Sequence, residues 1–529
     1  MREPGSAARA GLACAAGLAQ AASLALPGSG APLWWLQILS LAALAGLLRS
    51  TAQPLRGAFL AGLFATAWLC GTFWWLFTSL HTYGGLPAPL AVLSVLGLAL
   101  FLASYYAVAG ALCVRLAPHS RLGVALLFAG LWLLAELARN TLWTGFPWGA
   151  GGYAHVDGPL SALARWVGVY GMGFVAALLA MGVASLRAAD LRRTSAWLLL
   201  VTLAGGLAAA SGLRECALGG CNGAAIARHA PLSLALLQGN IPQDEKFQAG
   251  SGVPTALAWY ARQLDSASAS LVVAPETALP LLPAQLPPGY LQAIARRYAQ
   301  GEQAALVGIP LGDMQAGYTN SVLGFAPGQT APYRYDKHHL VPFGEFIPPL
   351  FRWFTEMMNI PLGDFARGPL GQAAFLWRGE RIAPNICYED LFGDEIAAHF
   401  LVPERAPTLL LNLSNIGWFG TSLAIDQHLA ISRMRALEFE RPMVRATNTG
   451  ATAVIDYRGQ VTHVLARATR GVLLAQVEGR GGPVTPFAWW AARWRLAPLW
   501  GLGTLCVLGA VLARRRAHRQ GRKPLYNRV

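Results

Sequence analysis

The chain has 529 residues, of which 54% are hydrophobic and 13% are charged, and its formal net charge at pH 7 is +15. A typical soluble domain has about 25% charged residues, so the composition indicates a membrane protein and excludes an ordinary soluble enzyme. The charge does not indicate nucleic-acid binding, because residues 229–513 hold 21 Lys and Arg against 21 Asp and Glu. The positive excess lies beside the apolar segments, where it indicates membrane orientation.

Eight apolar runs are long enough, or nearly so, to span a bilayer as helices. They cover residues 7–26, 33–48, 57–80, 88–114, 122–138, 165–186, 195–213 and 496–513. The arrangement predicts a seven-span domain over 1–213, a linker over 214–228 and an eighth helix over 496–513. A further linker over 481–495 precedes that helix, and a basic tail over 514–529 follows it.

Arginine residues in the short connections predict which side of the membrane each connection faces. They follow the second, fourth and sixth runs, at Arg49, Arg56, Arg115, Arg121, Arg187, Arg192 and Arg193. Because short cytoplasmic loops are enriched in Lys and Arg, these connections and the N-terminus are expected to be cytoplasmic. Seven crossings then place residues 214–495 outside and return the basic tail to the cytoplasm.

The connection between the fifth and sixth runs, residues 139–164, combines glycines with Trp143, Phe146, Trp148 and Tyr153. One interpretation is an aromatic belt at the membrane interface. The other is a wall of a lipid entrance at the level of the membrane. The residues alone leave both open.

The seven cysteines fall into three groups. Four lie inside apolar runs, where packing is the simplest role: Cys14, Cys70, Cys113 and Cys506. Cys216 and Cys221 follow the seventh run and form a disulfide only if that side is oxidising, which leaves their state open. No Cys and His cluster has zinc-ligand spacing, so we expect neither a metal nor a cofactor.

Residues 229–480 alternate strand-like and helical segments, which predicts a layered α/β domain. The predicted strands cover 232–238, 271–274, 305–309, 321–325, 382–387, 408–413, 443–447 and 451–456. The predicted helices cover 255–270, 290–300 and 426–440.

Three stretches of this domain carry reactive side chains. Leu271-Val-Val-Ala-Pro-Glu-Thr-Ala-Leu279 ends a strand in Glu276, and Tyr333-Arg-Tyr-Asp-Lys-His-His-Leu-Val-Pro-Phe-Gly-Glu345 places Lys337 and Glu345 in an aromatic loop. In Ile386-Cys-Tyr-Glu389, Cys387 ends an apolar run and is followed closely by acidic residues. A lone cysteine is more often a buried packing residue. A nucleophilic thiol, however, needs a base and a cation, and the other two stretches supply both.

These stretches resemble the Glu-Lys-Cys motifs of the nitrilase (carbon-nitrogen hydrolase) superfamily. The chain is similar to one membrane branch of it, the apolipoprotein N-acyltransferases, over nearly its whole length. Further similar motifs are Leu236-Leu-Gln-Gly-Asn-Ile-Pro-Gln243, Thr144-Gly-Phe-Pro-Trp148, the run from Gln427 to Glu438, and Arg445-Ala-Thr-Asn-Thr-Gly450.

The resemblance implies a nitrilase-type α-β-β-α sandwich outside an inner membrane, in the periplasm, joined to a multi-pass helical domain. It implies transfer of a fatty acyl chain from a membrane phospholipid, through a Cys387 thioester, to the N-terminal amine of a diacylglyceryl-modified apolipoprotein. Glu276 is then the general base, and Lys337 stabilises the oxyanion together with the Tyr388 backbone N–H. Glu345 and Glu389 are expected to orient Lys337. We expect a monomer with lipid and lipoprotein partners and no nucleic acid.

Two positions depart from the family pattern, and both concern substrate contacts. Ile416 stands where an acidic residue is usual after Asn412-Leu-Ser-Asn415, and Phe247 stands where tryptophan is frequent. The aromatic stretch between Pro342 and Pro369 predicts either domain core or a mobile lid that contacts lipid. The candidate substrate-binding residues are Trp148, Phe247, Phe343, Phe346, Trp353 and Phe354.

Two other functions are compatible with the residue pattern. A membrane-tethered amidase or nitrilase would hydrolyse small amides, and it would need a hydrophilic entrance in place of the aromatic stretch. A transporter with an outer binding domain would need more ionisable residues in its spans than Glu136 alone.

Overall fold

The computed structural model describes residues 5–187, 190, 230–313, 315, 317–329, 331–348 and 364–520. Contacts between residues divide the chain into two compact units. The described residues within 1–74, 92–224 and 496–529 form a helical unit, and those within 75–91 and 225–495 form an α/β unit.

The helical unit consists mainly of long apolar helices. Their bounds are Ser6–Leu24, Trp34–Arg49, Pro54–Phe73, Ala88–Leu116, Arg121–Thr141, Ala164–Ala184 and Ala497–Arg519. Small residues let helix backbones approach closely, as is common in membrane proteins. A Cβ added to Gly57 would lie 2.9 Å from the Gly110 carbonyl oxygen on the neighbouring helix.

Five helical segments of the described chain are long and apolar enough to cross a membrane. They are Pro54–Phe73, Ala88–Leu116, Arg121–Thr144, Pro159–Ala184 and Ala497–Arg519, while Trp34–Arg49 is a shorter apolar helix. The first predicted span corresponds to the helix Ser6–Leu24, which is not among the five. The seventh predicted span, the 214–228 linker, and Cys216 with Cys221 lie outside the described residues.

The third predicted span, 57–80, differs from the structure at its end. The α-helix stops at Phe73, and residues 75–91 belong to the α/β unit. Within that unit the Trp75 ring lies 4.2 Å from the Phe419 ring, and its Nε1–H donates to Gln427 Oε1 at 3.1 Å. These contacts hold Trp75 in the α/β unit, so the end of the predicted span packs against protein.

The α/β unit contains two six-stranded sheets. The first holds β1 (Leu232–Gln238), β2 (Leu271–Ala274), β3 (Ala304–Asp313), β4 (Gly317–Phe325), β5 (Tyr333–Asp336) and β12 (Gly471–Val477), in the order β12-β1-β2-β3-β4-β5. The second holds β6 (Phe375–Trp377), β7 (Glu380–Ile386), β8 (Leu409–Ser414), β9 (Met443–Thr447), β10 (Ala453–Ile455) and β11 (Val461–Val464), in the order β11-β10-β9-β8-β7-β6.

The sheets pack face to face, and helices cover their outer faces. Leu234 and Leu236 of β1 join residues of the second sheet in one core. Ala235 and Leu237 pack in a different core with the helices Gly252–Ser266 and Tyr290–Gln300. Successive strand residues point to opposite faces, so one apolar strand serves both cores.

Helices also cover the outer face of the second sheet. They include Ala424–Phe439 and Pro486–Trp494, which contribute Ala436, Phe439 and Phe487 to a third core with β8 and β9 residues. The architecture is therefore a four-layer α/β sandwich joined in sequence to several apolar helices.

Candidate active site

The predicted triad lies where strands of both sheets end. Glu276 follows β2 by two residues, Lys337 directly follows β5, and Cys387 directly follows β7. Carboxyl ends of strands in layered α/β folds are frequent positions for functional side chains. The face-to-face packing of the sheets therefore brings distant sequence segments to one site.

Glu276, Lys337 and Glu345 form a buried ion-pair network. Lys337 is fully buried, and its Nζ lies 2.8 Å from Glu345 Oε2 and 3.3 Å from Glu276 Oε1. Burial lowers the pKa of an isolated lysine. The charges of Glu345 and Glu276 outweigh this effect and hold the pKa of Lys337 above its ordinary value. Lys337 therefore remains an ammonium at every physiological pH.

Two asparagines that the sequence analysis did not identify hold the carboxylates in place. Asn320 Nδ2 donates to both Glu276 Oε1 and Glu345 Oε1, at 2.7 Å each. The Asn415 backbone N–H donates to Glu276 Oε2 at 2.8 Å. Glu276 is thus fixed through both carboxylate oxygens.

Cys387 has a backbone conformation that is uncommon outside glycine. Its φ is +52°, in the left-handed region, at the junction between β7 and a short 3-10 turn over Cys387–Leu391. Non-glycine residues in this region store strain and are found disproportionately at active sites. The turn presents the thiol at the end of the strand.

The environment of the Cys387 thiol opposes its ionisation at rest. Burial raises its pKa, as do the negative charges of Glu276 and Glu345, while Lys337 and the Asn415 N–H act in the opposite direction. The thiol is therefore protonated before reaction. A nearby base must remove its proton during attack, and Glu276 is the carboxylate with the strongest electrostatic effect on it.

Glu389 has different partners from those that the resemblance implies. Its Oε2 accepts hydrogen bonds from the Ile386 N–H at 2.6 Å and the Tyr335 hydroxyl at 2.9 Å, and its Oε1 accepts from the His338 N–H at 2.6 Å. It makes no hydrogen bond to Lys337 among the described contacts. Glu389 therefore fixes the backbone on both sides of the site, whereas Glu345 contacts Lys337 directly.

A second group of buried polar residues is linked to the Cys387 carbonyl oxygen through His428. It consists of Asp390, His428, Ser432 and Arg445, and we call it the carbonyl-side cluster. Arg445 Nη2 lies 3.0 Å from His428 Nδ1, and Arg445 also contacts Ser432 and Asp390.

The Arg445 contact assigns the tautomer of His428. A guanidinium only donates hydrogen bonds, so Nδ1 accepts and Nε2 carries the proton. Nε2 then donates to the Cys387 carbonyl oxygen at 3.2 Å. Burial and the Arg445 charge hold the pKa of His428 well below its ordinary value, so the imidazole is neutral and cannot add a charge beside Cys387.

Lys246 is a further buried cation that the sequence analysis did not select. Its Nζ donates to the Glu276 carbonyl oxygen at 3.2 Å and to Thr277 Oγ1 at 2.7 Å. It lies in a loop outside the reactive stretches, so no local sequence pattern indicated these contacts. We call Glu276, Lys337, Glu345 and Lys246 together the thiol-side cluster.

The remaining predicted residues have varied surroundings. Tyr388 is buried, with its ring 5.3 Å from that of Phe392. Phe247, Phe343 and Phe346 are partly exposed. Phe346 stacks with the Arg367 guanidinium at 5.2 Å.

The other residues selected from the sequence are Trp148, Trp143, Trp353, Phe354 and Ile416. Trp148 is buried in the helical unit, and its carbonyl oxygen accepts a hydrogen bond from Arg139 at 2.7 Å. Trp143, in the same connection, is 79% exposed. Trp353 and Phe354 lie outside the described residues. Ile416 is buried at the start of the 3-10 turn Ile416–Phe419.

Two family models match the chain. An apolipoprotein N-acyltransferase N-terminal domain model covers residues 16–182, and a carbon-nitrogen hydrolase model covers residues 233–483. The first match falls on the apolar helices and the second on the four-layer sandwich.

Curated relatives are similar over most of their length. A protein of Verminephrobacter eiseniae named apolipoprotein N-acyltransferase is 65% identical over 484 residues, covering 89% of this chain and 90% of the relative. A protein of the same name from Ralstonia nicotianae is 46% identical over 487 residues, covering 92% and 90%. A third, from Bordetella bronchiseptica, is 38% identical over 520 residues, covering 92% and 93%.

Proposed function

The chain belongs to the apolipoprotein N-acyltransferase family, and from this membership we propose the donor, the acceptor and the covalent intermediate of its reaction. The donor is a membrane phospholipid. Cys387 carries the fatty acyl chain as a thioester, and the acceptor is the α-amino group of an N-terminal diacylglyceryl-cysteine. The amidase and transporter alternatives have no comparable support among the relatives.

The first half-reaction forms the thioester. Glu276 takes the Cys387 proton as the sulfur attacks the ester carbonyl carbon of the phospholipid. The tetrahedral intermediate then expels the glycerol oxygen, which receives the proton from Glu276 and leaves as a lysophospholipid. The observation that carries this proposal is the fixed Glu276 carboxylate beside a thiol whose pKa is raised.

The second half-reaction forms the amide. The amine of the lipoprotein attacks the thioester carbonyl, and Glu276 takes a proton from the nitrogen. The intermediate expels the Cys387 sulfur, which is reprotonated to the resting thiol. General acid–base catalysis of this kind contributes roughly 10²- to 10⁴-fold to the rate.

Lys337 stabilises the negative oxygen of both tetrahedral intermediates, together with the Tyr388 backbone N–H. Its charge is permanent because Glu276 and Glu345 hold its pKa above the ordinary value. Partly exposed Phe247, Phe343 and Phe346, with Trp148, Trp353 and Phe354, are the proposed contacts of the acyl chains. Such apolar contacts also keep water from the thioester.

The proposed topology has eight spans and a periplasmic catalytic domain over residues 229–480, in a monomer of the inner membrane. The arginine distribution of the short connections supports it. Reporter fusions are expected to place residues 214–495 outside and 514–529 inside. A cytoplasmic catalytic domain would contradict the proposal.

Single-turnover experiments test the two half-reactions separately. Phospholipid alone is expected to release up to about one lysophospholipid per enzyme and to leave a hydroxylamine-sensitive acyl group on Cys387. A diacylated peptide with a free N-terminal amine then discharges this group as an amide, whereas the matched peptide with a blocked amine does not. Continuous lysophospholipid release without peptide would indicate a lipid hydrolase and contradict the proposal.

A further inference from the structure

Lys246 is an unusual lysine because both of its hydrogen bonds go to uncharged oxygens. The residue is only 2% exposed, and among the described residues its ammonium has no carboxylate within ion-pair distance. Burying an ammonium without a carboxylate partner is energetically costly. The buried charge at this position therefore makes Lys246 a candidate for a functional role.

The two hydrogen bonds of Lys246 hold the turn that carries Glu276. One joins the Glu276 carbonyl oxygen, and the other joins the hydroxyl of Thr277. Thr277 has a φ of +45°, which is strained for a β-branched residue. Lys246 therefore holds the strained turn that carries the proposed base, Glu276.

The charge of Lys246 balances the site. Glu276 and Glu345 are two carboxylates, and Lys337 supplies one positive charge to them. Lys246 supplies the second, and its ammonium interacts electrostatically with both Glu276 and Cys387. With Lys246 protonated, the charges of these groups sum to zero both before and after the Cys387 proton moves to Glu276.

We propose that Lys246 is a positioning residue that holds the Glu276 turn and stabilises the Cys387 thiolate through its positive charge. The inference rests on the proposed role of Cys387 as nucleophile. The two half-reactions described above use Glu276, Lys337 and Cys387, and this role of Lys246 is additional to theirs.

The proposal makes the reactivity of Cys387 depend on pH. Burial lowers the pKa of Lys246 to about 8, against the opposing effects of Glu276 and Cys387. As pH rises through this value, Lys246 loses its charge and its stabilisation of the thiolate disappears. Lys337, Glu345 and Arg445 also act on Cys387.

Alkylation of Cys387 by iodoacetamide tests the charge without any lipid substrate. The full-length protein in detergent is alkylated between pH 6 and 9, and the Cys387 peptide is quantified by mass spectrometry. The variants are Lys246→Met, which removes the charge at similar length, and Lys246→Arg, which keeps it at all pH values. Arg296→Met, which removes an exposed arginine of the same unit, is the matched control.

At pH 7 we expect Lys246→Met to be alkylated about tenfold more slowly than wild type, the effect of roughly one pKa unit. The Arg variant and the Arg296→Met control stay within about threefold of wild type by the same scale. Above pH 8 the wild-type rate falls relative to the Arg variant. This last comparison remains decisive if Lys246→Met does not fold.

Equal wild-type and Lys246→Met rates at pH 7, or a constant ratio of wild-type to Arg-variant rates up to pH 9, would overturn the proposal. Either result with normal acyl transfer by the wild type rejects the role of Lys246 alone. Acyl transfer by a Cys387→Ser protein would instead reject the proposed function.

Discussion

The two polar clusters around Cys387 both contain buried carboxylates and cations, but these groups have different partners. In the carbonyl-side cluster, Arg445 is bonded to Asp390, Ser432 and His428, and the neutral His428 imidazole makes the hydrogen bond to the Cys387 carbonyl oxygen. In the thiol-side cluster, ionised groups act directly on the sulfur. Burial of charge therefore does not by itself identify a catalytic base. What matters is whether a fixed carboxylate faces the atom that must lose a proton.

We therefore expect the thiol-side cluster to take part in the reaction and the carbonyl-side cluster to hold the backbone of Cys387 in place. Substitutions that remove one charge from each cluster should therefore separate activity from stability.

Replacing Lys337 by Met should have the largest effect, because it removes both the proposed oxyanion cation and the partner of two buried carboxylates. We expect acyl-enzyme formation to fall at least about 10²-fold and the free energy of unfolding to fall by about 3–5 kcal/mol. Single-turnover acylation and denaturant unfolding in detergent measure these changes. Lys337→Arg, which keeps the charge, is the control. Wild-type acylation by the Met variant would remove Lys337 from the chemistry.

Replacing Arg445 by Met should mainly lower stability. It leaves Asp390 buried without its cation, for an expected loss of about 3–5 kcal/mol of unfolding free energy. The acylation rate per folded molecule should fall less than about tenfold, since a positioning contact of this kind contributes about 1 kcal/mol. An acylation loss as large as that of Lys337→Met, at unchanged stability, would show that the two clusters are not separable in this way.

Replacing Glu389 by Gln tests how much the hydrogen bonds of its carboxylate contribute to stability, which we expect to be the smallest of the three effects. The amide NH₂ would face donors such as the Ile386 N–H and the Tyr335 hydroxyl, leaving one unsatisfied, so we expect a loss of about 1–3 kcal/mol. Thermal unfolding is the measurement, and the exposed Glu302→Gln change is the control. No difference between the two variants would refute a bracing role for Glu389.

The central strands of both sheets could be predicted from the sequence, but the edge strands could not. The eight predicted strands correspond to β1–β4 and β7–β10, and three of them, together with the helix Tyr290–Gln300, match at both ends. The four strands that the sequence analysis missed, β5, β6, β11 and β12, are the four sheet edges. Edge strands are half-covered, so polar and exposed positions interrupt their apolar runs, as in Val461–Val464.

The site was predictable only where chemistry appears as a local pattern. Glu276 follows a predicted strand and Cys387 ends one, whereas Lys337 falls in a predicted loop. The structure places all three just after strands. Asn320 lies within β4, and Lys246 lies in a loop, so only their contacts through space reveal their part in the site. Two of the partners of Glu389, Tyr335 and His338, likewise lie 54 and 51 residues away along the chain.

The assignment of Glu276 as the base for the Cys387 thiol is tested most directly by a Glu276→Gln variant incubated with phospholipid alone. The amide keeps the size of the side chain but accepts no proton, so acylation is expected to fall by roughly 10²- to 10⁴-fold. Mass spectrometry of the Cys387 peptide should show no acyl group within the time in which wild type is fully acylated, while the unfolding midpoint confirms a folded protein. Acylation of folded Glu276→Gln at the wild-type rate would contradict the account.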